Sequence, residues 1–304
     1  MRLTKAEQKR IDKFCDDIFA ASQIKCKTTV IRPDPFKPDI YPFQNLGQDR
    51  YVKFEPDGGC AFFGYWQPCF RKQAPLLIHT PGYGAEMSMH PELTDSFNVL
   101  HVNPLGICTP DGRDATKMTF EGLSSVLPDT IKTGGKRGYF DWLSCVSIAV
   151  NWAWNQDNVV ANKVSFFGTS QGGGAALLMG SVFSGRGTAC VAADQSFLTN
   201  FELGKGRGGY DSLIAKQKLF PHLSDEDILD ALFCYDTMHH VHRLDNIPVL
   251  LTAGGKDDVC PFDTIASLFK ALNGTKSYTL FDELPHGYNR QFISLARAWF
   301  MLYS

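Results

Sequence analysis

The stretch Lys163-Val164-Ser165-Phe166-Phe167-Gly168-Thr169-Ser170-Gln171-Gly172-Gly173-Gly174-Ala175-Ala176 carries the clearest chemical signal in the chain. An apolar, β-prone run enters a Gly-x-Ser-x-Gly pentapeptide, and small helix-compatible residues follow it. That strand–turn–helix context turns a serine into a nucleophile elbow. The turn forces strained backbone angles on the serine. The residues two positions to either side must therefore lack bulk, and Gly168 and Gly172 meet that need. The hydroxyl of Ser170 is left above the sheet at the positive end of a helix. Hydrolysis through a serine nucleophile is the leading expectation.

A serine hydroxyl attacks only if a histidine takes its proton, and that histidine needs a carboxylate to fix its tautomer. In α/β-hydrolases the chain order is Ser, then Asp or Glu, then His. The histidines after the elbow are His222, His239, His240, His242 and His286. Only His286 lies beyond a late predicted strand, in the loop Glu283-Leu284-Pro285-His286-Gly287, so His286 is the expected base. The acid belongs on the loop after the preceding strand, Gly254-Gly255-Lys256-Asp257-Asp258-Val259-Cys260-Pro261. Spacing does not choose between Asp257 and Asp258. The oxyanion left by attack needs two preset donors. One is the backbone N–H of Gln171; the other belongs to the loop His79-Thr80-Pro81-Gly82-Tyr83-Gly84, where glycines flank Tyr83 and allow close approach. His79 itself reads as a structural histidine, and Cys260 as a space-filling thiol.

These residues need a scaffold. Residues 4–22 read as an amphipathic helix with Ile11, Phe14, Cys15, Ile18 and Phe19 on one face. A proline-rich connector, Pro33 to Pro42, follows, so residues 1–50 form an N-terminal helix and extended segment. Predicted strands are Tyr51–Phe54, Cys60–Trp66, Leu76–Thr80 and Val99–Asn103. A polar, proline-containing turn joins the second to the third, which suggests an antiparallel start. Thereafter the rhythm is strand, loop, helix: a helix over Asp141–Trp154, the elbow strand Val164–Phe167, strands Cys190–Ala193 and Ile247–Ala253, a helix over Pro261–Leu272, a strand Tyr278–Phe281 and a closing helix Arg290–Leu302. That alternation predicts one α/β domain over residues 1–304, a mostly parallel sheet with helices on both faces. The alternation breaks from Phe197 to Leu244, with helical stretches around Leu213–Phe220 and Asp225–Phe233. Residues 195–245 are expected to form a helical cap.

Composition narrows the function classes. The chain has 304 residues, 44% hydrophobic and 20% charged, with a formal net charge of −2. Near-neutral charge gives no electrostatic grip on nucleic acid or an anionic membrane. No apolar run approaches the ~20 residues that span a bilayer. The first ten residues carry charge where a signal peptide would have an apolar core. Nine scattered cysteines, an odd number without a Cys-x-x-Cys pair, suit free thiols in a reducing cytoplasm. His239-His240-x-His242 invites a metal, yet no cysteine or acidic pattern completes a site. The glycine loop Gly204–Gly209 lacks the Gly-Lys-Ser/Thr of a P-loop. Neither a cofactor nor a metal is expected.

The chain resembles the acetyl xylan esterase and cephalosporin C deacetylase family of α/β-hydrolases from about Leu76 onward, most closely after Tyr139. Gly168-Thr169-Ser170-Gln171-Gly172-Gly173 is similar to that family's Gly-x-Ser-Gln-Gly-Gly elbow, and Ala193-Asp194-Gln195-Ser196-Phe197-Leu198 to its Asp-x-Pro-Phe-Leu segment. The resemblance picks Asp257 over Asp258 and places the family's oxyanion tyrosine on Tyr83. It implies hydrolysis of acetyl or similarly short esters of a sugar or small polar alcohol, without a metal. The family's hexamers make a homo-oligomer one expectation. Two departures stand out. Val102-Asn103-Pro104-Leu105-Gly106 occupies the region of the family's Arg-Gly-Gln, and Gly287 follows His286 where a glutamate is usual. A prolyl oligopeptidase-type peptidase shares the order of residues but carries a large extra domain. A non-catalytic binding protein would be expected to lack one of the three groups.

Overall fold

The computed structural model describes residues 3–32, 48–83, 88–104, 126–214 and 220–304. The proline-rich connector, Gly84, Leu105-Gly106 and residues 215–219 of the expected cap helix lie outside them. Nine strands form one sheet among the described residues. They are β1 (Cys26–Ile31), β2 (Arg50–Pro56), β3 (Phe62–Gln67), β4 (Ala74–Thr80), β5 (Asn98–Asn103), β6 (Val159–Thr169), β7 (Thr188–Asp194), β8 (Val249–Lys256) and β9 (Lys276–Pro285). The spatial order is β1-β2-β3-β5-β4-β6-β7-β8-β9.

The first three strands are antiparallel to their neighbours, as is β3 to β5, while β5, β4 and β6 to β9 run parallel. The antiparallel start is found, but the turn from β3 to β4 does not make a hairpin. β5 inserts between them, pairing Phe63 with Asn103 on one side and Leu76 with Asn98 on the other. Central strands such as β5 are buried along their whole length, the pattern of a strand covered on both faces.

The cover comes from helices on both sides. Leu76, Ile78, Phe166, Val191 and Leu251 face one core, packed by helices Lys5–Ala21, Tyr139–Trp154 and Gln171–Val182. Their neighbours Leu77, Val99, Phe167, Ala192 and Leu250 face a second core closed by Phe292, Ala296 and Phe300 of helix Arg290–Tyr303. The alternation follows from the two-residue period of a strand. Helix Lys5–Ala21 starts at a capping box: Thr4 Oγ1 accepts from the Glu7 N–H at 3.3 Å, and Glu7 Oε2 accepts from the Thr4 N–H at 2.7 Å. Between β7 and β8 lie helices Phe201–Gly204, Gly208–Ile214, Asp225–Leu232 and Val241–Leu244. This is the segment expected to break the alternation, though its second helix begins at Gly208 rather than Leu213.

Candidate active site

Parallel strands deliver their C-terminal ends to one edge of the sheet, and the site is built there. β4 leads to the Tyr83 loop, β6 to Ser170, β8 to Asp257 and β9 to His286. β9 runs on to Pro285, four residues past the predicted strand end, so His286 is the first residue beyond the strand rather than one within a longer loop.

Ser170 caps helix Gln171–Val182 with φ 60° and ψ −125°, a left-handed backbone for a residue with a side chain. The surroundings hold it there. Its N–H donates to the Asp194 carbonyl at 2.9 Å, and its own carbonyl accepts from the Phe197 N–H at 2.9 Å and from the Gly174 N–H at 3.1 Å. The close approach explains the flanking glycines. A Cβ at Gly172 would sit 2.1 Å from the Thr80 carbonyl oxygen, and one at Gly168 would sit 2.5 Å from it. Thr80 locks the strand to the elbow by donating its hydroxyl to the Gly172 carbonyl at 2.7 Å.

The three expected side chains meet. Ser170 Oγ lies 3.0 Å from His286 Nε2, and His286 Nδ1 lies 2.9 Å from Asp257 Oδ2. The other carboxylate oxygen, Asp257 Oδ1, accepts from the N–H groups of Val259 at 2.9 Å and Cys260 at 2.7 Å. The Asp257 side chain is fully buried and the imidazole a fifth exposed, so one end of the array is fixed and the other opens toward a substrate. Asp258 is exposed. An acceptor carboxylate on Nδ1 puts the proton there and leaves Nε2 free to take the serine proton. Such an array can carry out acyl transfer.

Gln171 is the first residue of its helix, so its N–H has no intrahelical acceptor. Its side chain is turned into the core, where Oε1 accepts from the Tyr139 hydroxyl at 2.8 Å. Tyr83 lies in a turn and is partly exposed. The preceding residue approaches the elbow, since a Cβ at Gly82 would be 4.0 Å from Ser170 Cβ.

Other residues at the site have contacts that the sequence did not assign. Asp194 is fully buried beside the elbow and accepts the Thr252 hydroxyl at 2.6 Å and the Thr169 hydroxyl at 3.3 Å. Burial pushes its carboxyl up to about 7, against those two hydroxyls that favour the anion. Gln195 contacts the backbone on both sides of His286. Cys260 supplies an N–H to Asp257 as well as filling space. Its thiol is raised well above the ordinary range by burial, so it stays protonated at neutral pH. Among the described residues, the atoms of Asp257, Cys260 and His286 form a cluster spanning at most 4.8 Å that could hold a metal, but its carboxylate and imidazole are already bonded to each other.

His79, His239, His240 and His242 have partners other than Ser170 and Asp257. His79 Nδ1 lies 2.6 Å from His101 Nδ1 and 3.1 Å from the Ser88 hydroxyl. In the His239-His240-x-His242 run, His239 Nδ1 meets the Phe233 carbonyl, His242 Nε2 meets Asp12, and His240 is buried between the Ser181 hydroxyl (2.7 Å) and the Cys234 carbonyl (2.9 Å). Burial holds His240 down at about 3 despite the Cys234 carbonyl, which favours the charged ring. Folded protein thus keeps this ring neutral, while the unfolded chain takes up a proton below about 6.5. The stability it protects is full above pH 6.5 and is lost as pH falls from there toward 3. His240→Gln, which cannot titrate, is expected to lose less stability on acidification. Between pH 6.5 and 5 the difference is about 2 kcal/mol, read from urea unfolding curves of the two proteins.

Comparisons with known proteins agree with this fold. The family model described as Acetyl xylan esterase (AXE1) matches residues 136–302. No curated protein sequence matches the chain. Among solved structures, acetyl xylan esterase 1 from Thermoanaerobacterium sp. JW/SL YS485 is 18% identical, with 99% of each chain covered and a TM-score of 0.76. Acetyl xylan esterase from Paenibacillus sp. R4 is 18% identical over 99% of this chain and 100% of that one, with a TM-score of 0.75. The Pyrococcus horikoshii acylaminoacyl peptidase shares the fold at 13% identity and a TM-score of 0.59, over 84% of this chain but 41% of its own. The family match spans more than half of the sequence and contains the elbow, the acid loop and the histidine. The chain belongs to the acetyl xylan esterase family, and it is a carboxylic-ester hydrolase with the α/β-hydrolase fold.

Proposed function

We propose that Ser170 is the nucleophile, His286 the general base and acid, and Asp257 the group that orients it, in the removal of acetyl groups from an O-acetylated sugar such as a xylo-oligosaccharide. The continuous line of contacts from Asp257 through His286 to Ser170 carries this reading. Ser170 Oγ attacks the ester carbonyl carbon as its proton passes to His286 Nε2. The tetrahedral oxyanion is received by the N–H groups of Gln171 and Tyr83, each such donor typically contributing ~3 kcal/mol in the transition state. The C–O bond to the sugar breaks, His286 gives its proton to the leaving alkoxide, and an acetyl-serine remains. Water then attacks the acetyl group, losing its proton to His286, and acetate leaves as Ser170 regains a proton. No metal takes part in any step.

We infer further that the described part of residues 195–245 caps this site. The Gly209 N–H donates to the Val259 carbonyl at 2.9 Å, tying the insertion to the acid loop. Free thiols at each described cysteine support a reducing, cytoplasmic setting. No helix among the described residues is long and apolar enough to cross a membrane. A homo-oligomer is open to a sizing measurement.

The test is a rate series on p-nitrophenyl esters together with acetate release from acetylated xylo-oligosaccharides. Acetate is expected to be the best acyl group, with kcat/KM lower by about tenfold or more at butyrate. A preference for long acyl chains, or cleavage of peptide amides with no ester turnover, would sink the deacetylase reading.

A further inference from the structure

Among the described residues β9 is one of the two edge strands of the sheet, and its pairing with β8 ends at Lys256 and Pro285. His286 and Gly287 therefore follow the point where the ladder stops. Their peptide groups are held instead by one side chain. Gln195 Nε2 donates to the Pro285 carbonyl at 2.9 Å, and Gln195 Oε1 accepts from the Gly287 N–H at 2.9 Å. The orientation of the amide is fixed by these partners, because a carbonyl can only accept and a peptide N–H can only donate.

The position is built for this contact. Gln195 is fully buried with φ +43°, a left-handed conformation that a residue with a side chain keeps only when its surroundings impose it. Its own N–H donates to the Thr252 carbonyl at 2.9 Å, anchoring it to β8. The preceding residue, Asp194, receives the Ser170 N–H. One dipeptide at the end of β7 thus holds the elbow through its backbone and the histidine segment through its side chain. Gly287 sits at φ +144° with nothing within 4 Å of an added Cβ, so backbone angle rather than space calls for glycine there.

We propose that Gln195 is a positioning residue for His286, its amide clamping the two peptide groups on either side of the histidine so that the ring stays in line between Asp257 and Ser170. It bonds neither reacting oxygen nor the imidazole, and acts only through the backbone. The proposal rests on the reading of Ser170, His286 and Asp257 as the catalytic groups.

The experiment compares full-length wild type, Gln195→Leu, Gln195→Glu and Ser170→Ala on p-nitrophenyl acetate. The low-field proton resonance of His286 Nδ1–H is followed by NMR and assigned through its absence in His286→Ala. Leucine removes both bonds at similar volume, and kcat is expected to fall about 10- to 100-fold with KM within about twofold, as for a catalytic group displaced by a fraction of an ångström. The His286 resonance should broaden or vanish in the same variant. An ionised glutamate still accepts from Gly287 but cannot donate to Pro285, so Gln195→Glu should fall in between. Unchanged kcat in Gln195→Leu overturns the proposal, as does a lower kcat with an unaltered His286 resonance. If Gln195→Leu fails to fold by circular dichroism, Gln195→Glu decides by the same two readouts. Full activity in Ser170→Ala would sink the underlying triad instead; an inactive Ser170→Ala beside an unaffected Gln195→Leu sinks the clamp alone.

Discussion

Alanine at Ser170 or at His286 is expected to lower kcat on p-nitrophenyl acetate by on the order of 10⁵- to 10⁶-fold, with the double variant no worse than either single one. The reason is that, in the proposed mechanism, the two groups perform one event. With Ser170 Oγ 3.0 Å from His286 Nε2, attack and proton transfer occur in one transition state, and neither has value without the other. The residual rate would come from the proposed oxyanion donors and substrate binding, which both variants keep. Stability should hardly change in Ser170→Ala, which leaves the bond between His286 and the buried Asp257 carboxylate in place. Matching unfolding curves beside the lost activity would separate a chemical defect from a folding one. A single variant retaining more than about a hundredth of the wild-type rate would show that the nucleophile or the base lies elsewhere.

Most of this array was legible because its parts are local in sequence. The Gly168–Gly172 pentapeptide states its own turn, and a run of buried apolar residues announces β8. The chain order then left one histidine beyond the last strand. What was not legible arises from pairing at a distance. β1 escaped notice because residues 27–30 are exposed, so no apolar period marks it; it exists through its ladder to β2. β6 was expected from Val164, yet it starts at Val159, because the exposed Ala161 and Asn162 carry no strand pattern and Asn162 adopts φ 57°. The insertion of β5 between β3 and β4 is a choice of partners that a turn signal does not encode.

The site was incomplete in the same way. Asp194 and Gln195 stand in the segment similar to the family's Asp-x-Pro-Phe-Leu, and nothing in their types says that they touch Ser170 and Pro285. Gln195 and Pro285 are 90 residues apart in sequence. Only the folded sheet, which sets the ends of β6, β7, β8 and β9 side by side, makes one of them a support for the nucleophile and the other a brace for the base.

The acid is where two adjacent carboxylates compete, and substitution should part them sharply. Asp257→Asn is expected to lower kcat by about 10⁴-fold, while Asp258→Asn stays within about twofold. Asp258 is exposed. Asp257 has both oxygens engaged, Oδ2 by His286 Nδ1 and Oδ1 by the Val259 and Cys260 N–H groups. An asparagine must place its NH₂ on one of these sides. Facing the loop, it would set donor against two donors in a buried site. Turned toward His286, it finds an acceptor if Nδ1 gives up its proton, and the neutral ring then carries its proton on Nε2. That nitrogen can no longer receive the proton of Ser170. The variant should therefore fold, bind substrate and react slowly, with KM little changed and kcat carrying the loss. Equal effects of the two substitutions, measured on p-nitrophenyl acetate, would mean that Asp257 does not orient the histidine.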